Sequence, residues 1–307
     1  MKLFDLHCDT LYRAFTEGKS IIKNDFEISV ERGREFDRWF QCMAVWIPDS
    51  VRGENAERLV ESCCALLECE LSDCNAQNID VAKIDTVSDV NSRSNIMLTI
   101  EGGAALNGKL ENIERYRKLG VRAMTLTWNG HCEIGDGADV ENPKGITDFG
   151  RKAVEEMERC GIAVDVSHAS DKLFYDVAEL AKRPFIATHS NSRNICSHRR
   201  NLTDEQFGII KSRGGIVGLN FHKFFLAEEK QSIKDIIKHA EYFLSIGGED
   251  VLAIGTDFDG GELPDDIHGI EDMHKIYNEF ARLNYSETLL EKLFFKNAFN
   301  FYQSFDI

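Results

Sequence analysis

Short, almost unbroken apolar runs recur along the chain: KLFDLH (2–7), FQCMAVWI (40–47), NIMLTIE (95–101), VRAMTLTW (121–128), GIAVDVSH (161–168), PFIATHS (184–190), GGIVGLNF (214–221) and DVLAIGTD (250–257). Such continuity predicts strands covered on both faces, as in a parallel sheet, because a half-exposed strand would alternate with polar residues. Longer amphipathic segments lie between the runs. In ENAERLVESCCALLECEL the residues Ala56, Leu59, Val60, Cys63, Leu66 and Leu67 recur at helical spacing. Thr147 and Ser170 are placed to cap further helices, which Gly161 and Pro184 respectively would end. Thr203 with Gln206 forms a capping-box pattern, and Gly214-Gly215 supplies the stop.

About eight strands, mostly followed by helices, predict an α/β fold: a (β/α)8 TIM barrel, one domain over residues 1–307. An open doubly wound sheet is the alternative. It would want a glycine-rich phosphate turn after the first strand, where LHCDT stands instead. There is no low-complexity tract, fixed-period repeat or Pro/Ser-rich linker to divide the chain.

Composition narrows the partners. With 52 acidic against 36 basic side chains the formal charge is −16, which repels polyphosphate and argues against nucleic acid. No stretch approaches the roughly 20 apolar residues that span a bilayer, and MKLFDLHCDTLYRAF lacks the apolar core of a signal peptide. Nine cysteines without a C-x-x-C pair then suggest reduced thiols and a cytoplasmic setting, with no membrane partner.

The polar residues that close the runs carry the chemistry. They are His7 and Asp9 on the first, Glu101 on the third, His168 on the fifth, His189 on the sixth and Asp257 on the eighth. In a barrel these ends gather at one mouth. Residues two apart on a strand share a face, so His7 and Asp9 converge while Cys8 points toward the helices. A lone histidine is usually structural, but six such side chains on the ends of five strands are a site. Three imidazoles with two carboxylates suit zinc, and manganese or iron as alternatives. Five ligands exceed what one catalytic zinc takes, so two ions bridged by Glu101 are expected, with a water between them as nucleophile. Asp257 is a candidate proton acceptor, with Asp259 secondary to it. Arg199 and Arg200 lie near the mouth, where a guanidinium could fork onto a substrate carboxylate.

The segments FDLHCDT, LTIEGGAAL, MTLTWN, VDVSHAS, IATHSNSRNICSHRRNLTD and IGTDFDGG resemble the membrane (renal) dipeptidase family, binuclear zinc enzymes of the metal-dependent amidohydrolase superfamily. The resemblance runs from about Lys2 to the terminal KNAFNFY, and the TIM barrel it implies is of the metal-dependent hydrolase type. It implies one zinc on His7, Asp9 and Glu101, and a second on Glu101, His168 and His189. It further implies that Arg200 grips the substrate carboxylate and that Asp257 is the acid of strand eight. One position departs: mammalian members carry a histidine on strand four, thought to stabilise the tetrahedral intermediate, where this chain has Trp128. His131, three residues on, is the candidate to replace it from the loop. The implied activity is hydrolysis of dipeptides, including those with a D-residue at the C-terminal position. A deacylase or lactonase on a small non-peptide substrate is the alternative that Trp128 leaves open. A barrel kept only for binding would show eroded ligands, and none of the six positions is eroded. Family analogy suggests a homodimer.

Overall fold

The computed structural model describes residues 1–88, 90 and 92–305. Its strands are β1 (Lys2–Cys8), β2 (Arg38–Trp46), β3 (Val81–Lys83), β4 (Ser94–Glu101), β5 (Val121–Thr125), β6 (Ala163–Asp165), β7 (Val217–Leu219) and β8 (Leu252–Ile254). All pair in parallel, in the order β6-β5-β4-β2-β1-β8-β7. Residues 186 and 187 close the ring through single bridges, Asp165 to Ile186 and Ala187 to Val217. The sixth apolar run is therefore present as the closing segment, not as a ladder. Backbone bonds hold it on both sides, Ile186 N to Val164 O at 2.9 Å and Ala187 N to Ile216 O at 3.1 Å, and the Asp165 carboxylate adds a further tie by accepting the Thr188 N–H at 3.0 Å. The short β3 beside β4 was not legible, since three residues carry no periodicity.

The predicted helices form where their caps place them. Thr147 accepts from Gly150 N ahead of the helix Asp148–Cys160, and Gly161 ends it with φ of 72°. Ser170 caps Asp171–Leu180, and the Thr203/Gln206 box opens Asp204–Ser212. Among the described residues no helix is long and apolar enough to cross a membrane.

Two apolar layers sort the barrel's ends. One lies between strands and helices. The other fills the barrel floor: Phe4, Phe40, Cys42 and Met97 pack against Phe295, Phe301 and Tyr302 of the C-terminal segment. Phe4 stacks on Phe40 at 5.0 Å and on Tyr302 at 5.6 Å between ring centres. With the N-terminal end plugged by aromatic rings, the C-terminal mouth is the end left open to a ligand. β1 must change phase to serve both ends. Phe4 and Leu6 face the floor layer, so strict alternation would aim His7 at the helices. The register against β2 shifts between Asp5 and Cys8, and the irregularity turns His7 into the mouth. Cys8 packs, fully buried, in the outer layer.

Candidate metal centre

His7, Asp9, Glu101, His168, His189 and Asp257 are all buried, and they meet at the mouth. Ligand atoms lie within 4.8 Å of one another in three sets: His7–Asp9–Glu101, Glu101–His168–His189 and His7–His189–Asp257. Glu101 divides its oxygens between the first two. Oε2 lies 3.7 Å from His7 Nε2, whereas Oε1 lies 2.7 Å from His168 Nε2 and 3.5 Å from His189 Nε2. Asp9 stands at the N-cap of the helix Thr10–Glu17 and yet makes no capping bond. Its Oδ2 lies 3.5 Å from His7 Nε2 instead. His168 and Asp257 hold left-handed backbone, φ of 67° and 64°. That conformation is costly for residues other than glycine and is met mostly where a site needs it.

Supporting groups orient the imidazoles. Thr188 Oγ1 donates to Asp165 Oδ2 at 2.6 Å, so it must accept from His189 Nδ1–H at 2.9 Å. His168 Nδ1–H donates to Asn129 Oδ1 at 2.7 Å. Both rings thereby turn an Nε2 lone pair inward, as metal-ligating histidines do. Asp5, an acid inside the first run, is not a ligand. It accepts from Thr256 N and Oγ1 and from Gln41, and so ties β1 to its neighbours.

The electrostatics ask for positive charge. Burial disfavours the His7 imidazolium, but Glu101, Asp9 and Asp257 outweigh it and push the group up to about 10. Burial, with Arg200 and His7 adding, holds His168 and His189 far below the usual imidazole range. Burial also raises Glu101 well above an ordinary carboxylate, and Asp257 to about 6. His7 Nε2, His189 Nε2 and Asp9 Oδ1 are buried without a hydrogen-bond partner. Each orphan of this kind costs on the order of 1–3 kcal/mol. Three of them converging among three buried carboxylates fit divalent cations.

Above the cluster opens a cavity of about 350 Å3, walled by Tyr12, Trp46, Trp128 and Phe225, with Asp9, Glu101, His168 and Asp257 at its base. Trp128 stands edge-on to Trp46, ring centres 4.9 Å apart. Arg200 is buried, its guanidinium 5.4 Å from the Phe225 ring centre and its Nη2 donating to His189 O at 3.5 Å. Arg199 is exposed and faces Asp139 at 3.7 Å. His131 does not reach the cavity: its side chain is 66% exposed, and Asp136 holds its Nδ1 at 2.6 Å beside a separate depression. The carboxylate, itself tied to the Lys144 and Gly145 N–H groups, anchors the ring outward. Asp259 accepts from Thr10, Arg13 and Glu27 N, so it braces the loop and lies beside the cluster without joining it. Sequence reasoning passed over Tyr12, Trp46, Asn129, Phe225 and His222. The signal for His222 was the strand-end rule applied to the seventh run, which closes on Asn220-Phe221-His222.

Fold and site together define a (β/α)8 barrel with a histidine–carboxylate cluster at its C-terminal mouth. More narrowly, the chain belongs to the membrane dipeptidase family, peptidase family M19, whose match covers residues 1–305. It is 33% identical over 209 residues to an uncharacterized protein of the pqqA 5′ region of Klebsiella pneumoniae, covering 64% of this chain and 77% of that one. To mouse dipeptidase 3 it is 26% identical over 299 residues, covering 92% of this chain and 57% of that protein. An uncharacterized dipeptidase of Schizosaccharomyces pombe is 29% identical, with 64% and 50% covered. The chain thus spans about half the length of these two dipeptidase relatives. Among solved structures, a dipeptidase AC, a metallopeptidase of family M19, superposes with a TM-score of 0.91 at 25% identity, covering 99% of this chain and 98% of that one. A metallopeptidase of Rhodobacter sphaeroides, liganded with a phosphinate mimic of L-Ala-D-Ala, gives 0.87 at 24% identity, with 99% of each chain covered.

Proposed function

We propose that the chain is a metal-dependent dipeptidase holding two divalent ions, zinc by the chemistry of its mixed nitrogen and oxygen donors. His7, Asp9 and Glu101 would hold one, and Glu101, His168 and His189 the other. The observation that carries this is the division of Glu101, one oxygen toward each set. When bound, such ions lower the pKa of a shared water and polarise the amide carbonyl.

The remaining steps belong to side chains. Asp257, raised to about 6 by burial, can accept a proton near neutral pH and return it to the leaving amine. Asn220 Nδ2 donates to its Oδ2 at 3.0 Å and holds the carboxylate in place. Arg200 supplies the buried positive charge for the substrate's C-terminal carboxylate. Tyr12, Trp46 and Trp128 form an apolar wall that keeps water from competing. Family membership and the dipeptide mimic held by the Rhodobacter sphaeroides structure support dipeptides as the substrate class. Nine free thiols, with Cys63 beside Cys64, support a reducing cytoplasm as the setting.

The test is hydrolysis of a panel of L-Xaa-L-Xaa and L-Xaa-D-Xaa dipeptides, L-Ala-D-Ala among them, by the zinc-loaded chain. Turnover with two zinc ions per chain is expected; silence across the panel with zinc bound would overturn the reading. Arg200→Ala should weaken binding of such dipeptides by about two orders of magnitude, the scale of losing one partner of a buried charge pair. A substrate lacking a carboxylate, such as a lactone, should be indifferent to that change.

A further inference from the structure

His222 belongs to neither metal set, nor does it occupy the strand-four position. It follows β7, lines the same cavity as Glu101 and Asp257, and its Nδ1 is buried without a hydrogen-bond partner. Its place is well defined. The His222 N–H donates to Asn220 Oδ1 at 2.5 Å, and the same Asn220 side chain holds Asp257. Its ring lies 4.6 Å from that of Phe225, the ring over which Arg200 sits. Gly261 is glycine where a Cβ would press on the imidazole. Burial lowers its imidazolium to about 4, so at neutral pH it is an uncharged ring with one N–H to give.

Resting on the dipeptidase reading, we propose that His222 is a substrate-binding residue that donates a hydrogen bond to the C-terminal carboxylate of the dipeptide, beside Arg200. Both groups share the Phe225 shelf, and since Nδ1 is closed off from solvent, the N–H the ring offers to the cavity is that of Nε2. The two donors differ in kind. Arg200 supplies charge, whereas His222 adds direction, which restricts the site to a substrate that ends in a free carboxylate one residue beyond the scissile amide.

The experiment compares wild type with His222→Phe and His222→Gln, all zinc-loaded, on L-Ala-D-Ala. His222→Phe removes the donor and should raise KM about tenfold, as for the loss of one hydrogen bond to a charged group, with kcat within about threefold. His222→Gln keeps an N–H near the Nε2 position and should restore KM to within about threefold of wild type. Binding of D-alanine, followed by calorimetry, should weaken in His222→Phe by the same factor as KM rises. His222→Leu, a smaller apolar replacement, repeats the measurement if the phenylalanine variant is misfolded. An unchanged KM in these apolar variants, a fall in kcat at constant KM, or equal losses in Gln and Phe would each overturn the proposal. A wild-type chain silent on every dipeptide removes the dipeptidase reading and this inference together, whereas an active wild type with indifferent apolar variants removes this inference alone.

Discussion

Asp9 shows what one residue can be kept from doing. Aspartate at an N-cap ordinarily accepts from the first helical N–H groups and stabilises the helix by about 1 kcal/mol. Here it makes no such bond and leans toward His7. Gly260 gives it the room, because a Cβ there would collide with Asp9 Oδ2. The colliding atoms are the ends of side chains, Asp9 Oδ2 most closely and then Asp257 Oδ1, so Gly260→Ala should fold and should displace the Asp9 carboxylate most. Zinc affinity is expected to fall about 10–100-fold, the range for disturbed ligand support, with loss of the His7-side ion first. Metal analysis after dialysis against a zinc buffer would read it; retention of both ions would show that Asp9 does not ligate.

Between elements, His239 is the comparable device. It lies on the helix Ile233–Ser245, where Nδ1 accepts from Ser192 N at 3.1 Å and Nε2–H donates to Leu226 O at 3.0 Å. One neutral ring thereby ties the helix to both segments flanking the cavity, the loop leading to Arg200 and the turn leading from Phe225. Burial depresses its imidazolium from 6.5 to about 4. A depressed folded pKa means stability that is fully present above about 6.5 and lost as pH falls through 4. The contribution is roughly 3 kcal/mol. Urea unfolding at pH 7, 5.5 and 4 should show wild type losing about that much more than His239→Gln. Parallel pH profiles would show that the ring is not buried neutral.

Across the molecule, stability is divided between floor and mouth. The floor rests on aromatic packing from Phe4, Phe40 and Tyr302, which needs no ion. At the mouth, buried carboxylates from β1, β4 and the end of β8 face one another. Removing the ions should therefore loosen one end of the barrel and spare the other. After chelation, amide exchange is expected to speed up at residues 7–9, 101 and 257–261 while β1 and β2 near Phe4 and Phe40 stay protected. A uniform change along the strands would contradict that division. The unfolding temperature should also fall, since bound ions stabilise only the folded chain.

The chain's own pattern determined the barrel, because continuous apolar runs and capped amphipathic segments are local signals that each strand and helix carries. It marked the candidate site residues as well, since His7, Asp9, Glu101, His168, His189 and Asp257 all stand at the ends of runs. Closure by Ile186 and Ala187, with Asp165 accepting from Thr188 beside the backbone bonds, was decided only in three dimensions. So was the shift in β1 that turns His7 inward beside a floor-facing Leu6. His131 and His222 make the same point from opposite sides. His131 stood nearest in sequence to the altered strand-four position, but Asp136 holds it outside. His222 gave only a strand-end hint, and it became part of the cavity because β7 and β8 bring Asn220 against Asp257. Spacing along a chain governs which face a side chain shares with its near neighbours. Which distant groups it meets depends on how strands pair and loops fold over them.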